Sequence, residues 1–188
     1  MDLRNTIKFA HMALSLAPEV FNSIDVIKLD ESIHIENLIE EDLFLTMPYD
    51  PSNLGEDIMF RQLSGLALII PQEHHGVAPE VKKFAAEKSI KLKTAQVVGT
   101  LHATLQLIEV GLGVSLLPWS AIHERVEQNR LSARKVISPS LRHTVSMVYP
   151  THRPLTPATI AIMELIRLTA RDVYNRGKWA GTLLVTEK

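Results

Sequence analysis

Cysteine does not occur among the 188 residues. Disulfides and thiolate metal sites are therefore excluded, and the composition fits a reducing compartment. Long apolar stretches are missing too. Without a run of about 18 such residues, nothing in the sequence reads as a membrane-spanning helix. A basic excess is also lacking: 20 lysines and arginines face 21 acids, for a formal net charge of −1. Chains that grip phosphate backbones alone usually carry such an excess, so this one is not expected to hold DNA unaided. Catalytic signatures are equally scarce. There is no Gly-x-Ser-x-Gly elbow, no P-loop and no glycine-rich dinucleotide turn. Gly111-Leu112-Gly113 is a fragment of the last, but it follows a helical pattern rather than a strand. His74, His75 and His102 lack the i, i+4 pairing with glutamate that a helical zinc site needs. No enzyme activity, cofactor or metal is expected, although Glu73, His74 and His75 are residue types that bind metals.

What is present is ordinary for a globular protein: 46% hydrophobic and 22% charged residues. The length suits one domain or two small lobes, burying roughly 70% of the surface the unfolded chain would expose. Near the N-terminus, Phe9 to Ala17 is mildly apolar but interrupted by His11. It lacks a basic region followed by a small-residue cleavage site, so it makes a poor export signal.

Leu43-Phe44-Leu45-Thr46-Met47 reads as a short buried strand ended by Pro48, and Leu66 to Ile70 as another between Gly65 and Pro71. Their continuous apolarity predicts strands covered on both faces. Before the first, the charges from Asp30 to Asp42 are all acidic and read as a solvated face. Pro79 to Ser89 has the spacing of an amphipathic helix, with proline in its first turn. Lys91 to Val98 reads as a strand. Thr100 to Val110 reads as a helix with Leu101, Leu105 and Ile108 on its apolar stripe, stopped by Gly111 and Gly113. Val114 to Leu117 is the next strand, and Ser120 is placed to cap a helix through Glu127. His143 to Tyr149 has strand character. Thr156-Pro157 then starts a helix that carries Ile162, Leu165, Ile166, Thr169 and Val173 on one face, runs to about Asn175 and ends at Gly177. Arg125, Arg130, Arg134, Lys135 and Arg142 read as a solvated basic surface. Alternating strands and helices predict an α/β fold with mainly parallel sheets.

The order of these pieces is informative. Thr100 to Pro118, TLHATLQLIEVGLGVSLLP, is similar to the effector-domain signature of LysR-type transcriptional regulators, a helix stopped by two glycines that feeds a buried strand. Glu41 to Leu45 resembles that family's first crossover strand, Leu63 to Pro71 its next strand, and Gln72 to Gly76 the loop after it. His152 to Ala158 is similar to the opening of its terminal helix. The tail Gly177 to Gly181 is similar to tails of the nitrogen-assimilation-control branch. Together the likeness covers about residues 38–181.

This resemblance implies a type II periplasmic-binding-protein-like fold of two lobes joined by two crossovers, with an incomplete first lobe. Residues 1–46 are then a partial first lobe, 47–140 the second lobe, 141–176 the return to the first, and 177–188 a C-terminal tail. It implies a cytoplasmic, dimeric or tetrameric transcription regulator whose winged helix-turn-helix lies outside this chain, and whose small-molecule effector sits between the lobes. The expected contacts are Gln72, His74, His75, Gly99, Thr100 and Leu101, where helix starts offer free amides to a small anion. Many relatives carry an arginine just after this loop; here Val77-Ala78-Pro79 follows, with Lys82 and Lys83 the nearest cations. A stand-alone solute-binding protein of the same fold is the alternative.

Overall fold

Sixteen residues, Ile33–Pro48, form a single strand, β1, in the computed structural model, which describes residues 33–53, 55–71, 78–152 and 154–185. The strand expected at Leu43 to Met47 is its C-terminal part. Two units divide the chain: one of residues 1–40 with 144–188, the other Glu41–His143. β1 and a second strand, β7 (Arg142–Pro150), carry the chain from one unit to the other and pair with each other.

In the Glu41–His143 unit the further strands are β2 (Ile58–Met59), β3 (Ala67–Pro71), β4 (Lys93–Val98), β5 (Ser115–Pro118) and β6 (Leu131–Ile137). The helices are α1 (Ala78–Glu87), α2 (Leu101–Glu109) and α3 (Trp119–Glu127). Parallel pairs occur as expected, between β3 and β4 and between β2 and β6. β5, α3 and β6 form a further strand-helix-strand repeat, but β1 lies between its two strands and runs against both. The sheet is therefore mixed. A β-α-β pattern fixes the relative direction of its own strands and not that of a strand inserted between them.

Both faces of this sheet are covered. Leu43, Leu45 and Leu116 join Phe60, Leu63, Leu68 and Val136 in one apolar cluster. Leu117 lies in the other, with Ile69, Leu105, Ile108, Ile122 and Leu131, and Phe44 packs against it. Successive strand residues thus enter opposite clusters, which is why the apolar runs have no polar alternation. β3 joins β5 through Ile69 N–H to Val114 O at 2.8 Å and the Ser115 hydroxyl to Ile69 O at 2.8 Å.

In the other unit, the start of β1 pairs with β7 and with a short strand β8 (Gly181–Leu183). β8 falls in the segment expected as a tail. Helix α4 (Pro157–Asn175) begins as the sequence suggests: Thr156 caps it by accepting from the Thr159 amide at 3.1 Å, and Pro157 sits where no amide hydrogen is needed. Its buried face centres on Met163 and Ala170 rather than on Ile162, which is 58% exposed. Met163 packs with Leu38 and Met147, bordered by Tyr149, Leu155, Ile166 and Val185.

Candidate functional site

Three of the expected contacts, Gln72, His74 and His75, lie outside the described residues. The other three, Gly99, Thr100 and Leu101, stand together at the start of α2. Thr100 adopts an extended backbone, and its hydroxyl oxygen accepts from the Ala103 amide at 3.2 Å. Its carbonyl accepts from the Thr104 amide and hydroxyl at 3.1 and 3.0 Å. Thr100 is therefore the helix cap, and the amides of Leu101 and His102 have no intrahelical acceptor. Leu101 was expected in the core stripe. It is instead 46% exposed, while Leu105 and Ile108 are buried. The stripe starts one turn later because the first residue of a helix has no preceding turn to pack on. Exposed Thr100, Leu101 and His102 thus surround two amides without an acceptor among the described residues, at a positive helix end able to hold a small anion with an apolar edge.

A second polar group gathers at the start of α3. Ser120 was expected as that helix's cap, but the cap position is Pro118. The Ser120 amide and hydroxyl instead donate to the two oxygens of Glu41, at 3.3 and 3.0 Å. Glu41, expected on a solvated face, is 2% exposed. Burial pushes its carboxyl up to about 7, against the pull of the Ser120 hydroxyl and amide. His123 Nδ1 faces the Ser120 carbonyl at 3.2 Å rather than the hydroxyl. No serine-to-histidine proton relay forms.

The basic surface is not free either. Buried Asp42 meets Lys135 at 2.6 Å and Arg142 at 3.5 Å. Glu109 meets Arg125 at 2.8 Å and Arg130 at 2.7 Å. Arg134 donates to the carbonyls of Glu56 and Asp57. These cations hold elements together, and their partners, up to 93 residues away in sequence, are not visible in the local charge pattern. Among the described residues no group of three metal-ligand types converges. None of the described helices is long and apolar enough to cross a membrane.

Comparison with known proteins bears on this geometry. Residues 11–171 match the family model of the LysR substrate binding domain. The RuBisCO operon transcriptional regulator of Acidithiobacillus ferrooxidans is 26% identical over 125 residues, 66% of this chain and 40% of that protein. The nitrogen assimilation regulatory protein Nac of Escherichia coli K12 is 25% identical over 146 residues, 76% of this chain and 46% of its own length. The two match about equally, so the likeness is to the family rather than to one branch. The chain spans less than half the length of these relatives. Among solved structures, the effector binding domain of QuiR in complex with shikimate superposes with a TM-score of 0.64 at 16% identity. That superposition covers 78% of this chain and 69% of the other.

Proposed function

This chain belongs to the LysR substrate binding domain family, and from that premise we propose that it is the effector-sensing part of a DNA-binding transcriptional regulator. DNA recognition resides in a winged helix-turn-helix outside these residues, in keeping with the net charge of −1. Such a regulator works in the cytoplasm. The relatives are regulators, and nothing favours the stand-alone solute-binding alternative. The effector is a small carboxylate seated at the tip of α2, against Gly99, Thr100 and Leu101; Gln72, His74 and His75, which the family resemblance adds, lie outside the described residues. The observation that carries this reading is the pair of amides beside the Thr100 cap that has no acceptor among the described residues. Binding controls transcription only if the effector prefers one of two conformations; affinity alone shifts nothing. The regulator is a homo-oligomer, and the exposed Val110 and Leu112 just past α2 supply its contact.

Calorimetric titration with small carboxylates, starting with shikimate, tests the site. Saturable binding is expected that weakens about ten-fold in Thr100→Val and survives in Thr100→Ser. Equal affinity in the valine variant, or no carboxylate bound at all, would reject the anion site at α2.

A further inference from the structure

Outside the effector site, the unit formed by residues 1–40 and 144–188 has an open cavity of about 280 Å³ between β1 and α4. Its floor is an ion network. Arg167 donates through Nε and one terminal nitrogen to both oxygens of Glu36, each at 2.6 Å, and through the other terminal nitrogen to Glu164. The Glu36 hydrogen bond leads the causes that raise the Arg167 pKa, so this guanidinium stays charged.

Stapling α4 to β1 explains that network, but not what stands around it. His34 precedes Glu36 by two residues on the same strand, so both side chains point the same way. Its ring lies against that of Tyr149 with centroids 4.9 Å apart. Among the described residues neither the His34 ring nitrogens nor the Tyr149 hydroxyl has a hydrogen-bond partner, and the second oxygen of Glu164 has none. Glu164 keeps more than half of its side chain in solvent. Leu168, 59% exposed, and Leu184 add apolar wall.

We infer that this cavity is a second ligand site, and that it takes a small zwitterion of the α-amino acid class. The uncommitted Glu164 oxygen accepts from an ammonium. Tyr149 and His34 donate to a carboxylate, and Leu168 and Leu184 receive an aliphatic side chain. Among the described lining residues Arg167 and Arg171 balance Glu36 and Glu164 in formal charge, which favours a ligand carrying both signs over one with net charge. This inference does not depend on the effector reading at α2.

Calorimetric titration of the whole chain with individual α-amino acids tests it, with propionate and propylammonium as single-charge controls. At least one amino acid should bind saturably, with both controls at least about ten-fold weaker. Glu164→Gln should weaken that binding about ten-fold, and Tyr149→Phe, which leaves the ion network intact, should weaken it measurably. The inference is overturned if no amino acid binds, if a control binds as tightly, or if both variants bind with unchanged affinity.

Discussion

Glu41 ties its strand to α3 through two hydrogen bonds and is held almost wholly out of water. Its folded pKa, about 7, stands above its ordinary 4.5. The native state therefore binds this proton more tightly than the unfolded state does. The resulting stability is fully present below about pH 4.5 and is lost as pH rises through about 7. At higher pH the loss amounts to about 3 kcal/mol. Glu41→Gln keeps an acceptor for Ser120 and cannot ionise. It should be more stable than the parent at about pH 8 and nearly equal to it at about pH 5 by urea midpoints. His143, whose pKa burial lowers, acts with the opposite sign: its stability is lost as pH falls through the folded value. Only the difference between parent and variant isolates Glu41; equal slopes for both would reject the assignment. None of this was legible in the acidic run before Leu43. The partner Ser120 lies 79 residues away and that of Asp42, Lys135, lies 93 away. Composition reports charge, not what neutralises it.

Element ends were the legible part of this fold. Thr156 caps the helix it was expected to start, and Thr100, expected as the first residue of its helix, is its cap, whereas Ser120 is not a cap. Gly111, with φ of +79°, ends α2 in a left-handed turn closed by Leu112 N–H to Leu107 O at 3.0 Å. Gly113 has a different reason to be glycine. A Cβ there would lie 2.7 Å from the Ala67 carbonyl oxygen and 2.9 Å from Ile69 Cγ1, because the chain crosses β3 on its way into β5. Gly113→Ala should therefore destabilise by about 1–3 kcal/mol through overpacking. Gly111→Ala should cost closer to ~1 kcal/mol, since its Cβ would meet nothing. Urea denaturation of both variants ranks the two causes, and the reverse order would mean the β3–β5 approach was misjudged. Thr100→Val should cost about 1 kcal/mol from the lost cap, so its binding is measured well below its melting temperature. β6 was missed in the sequence because Arg134 and Lys135 interrupt its apolar residues. Leu131 and Val136 are nonetheless fully buried, and the two cations find partners in the Glu56 and Asp57 carbonyls and in Asp42.

At the scale of the whole molecule, the family likeness carried the functional reading, because five motifs in order constrain a fold that no one of them does. Solvent-facing apolar groups remain to be explained. Val97 on β4, Leu101 on α2, and Val110 and Leu112 just past it are 54%, 46%, 70% and 59% exposed. β4 pairs only with β3 among the described strands, so one of its edges is open to further pairing. Exposed apolar side chains and an open strand edge each favour association. A net charge of −1 supplies little repulsion to prevent it. The chain should therefore self-associate in solution, with a mass by light scattering that rises with protein concentration. Val110→Glu with Leu112→Glu places two unpaired carboxylates in that contact and should shift the mass toward the monomer. Both sites are exposed in the single chain, so the melting temperature should hardly change. A parent that stays monomeric at every concentration would show that this surface is not a contact. Unaltered association in the double variant would place the contact elsewhere.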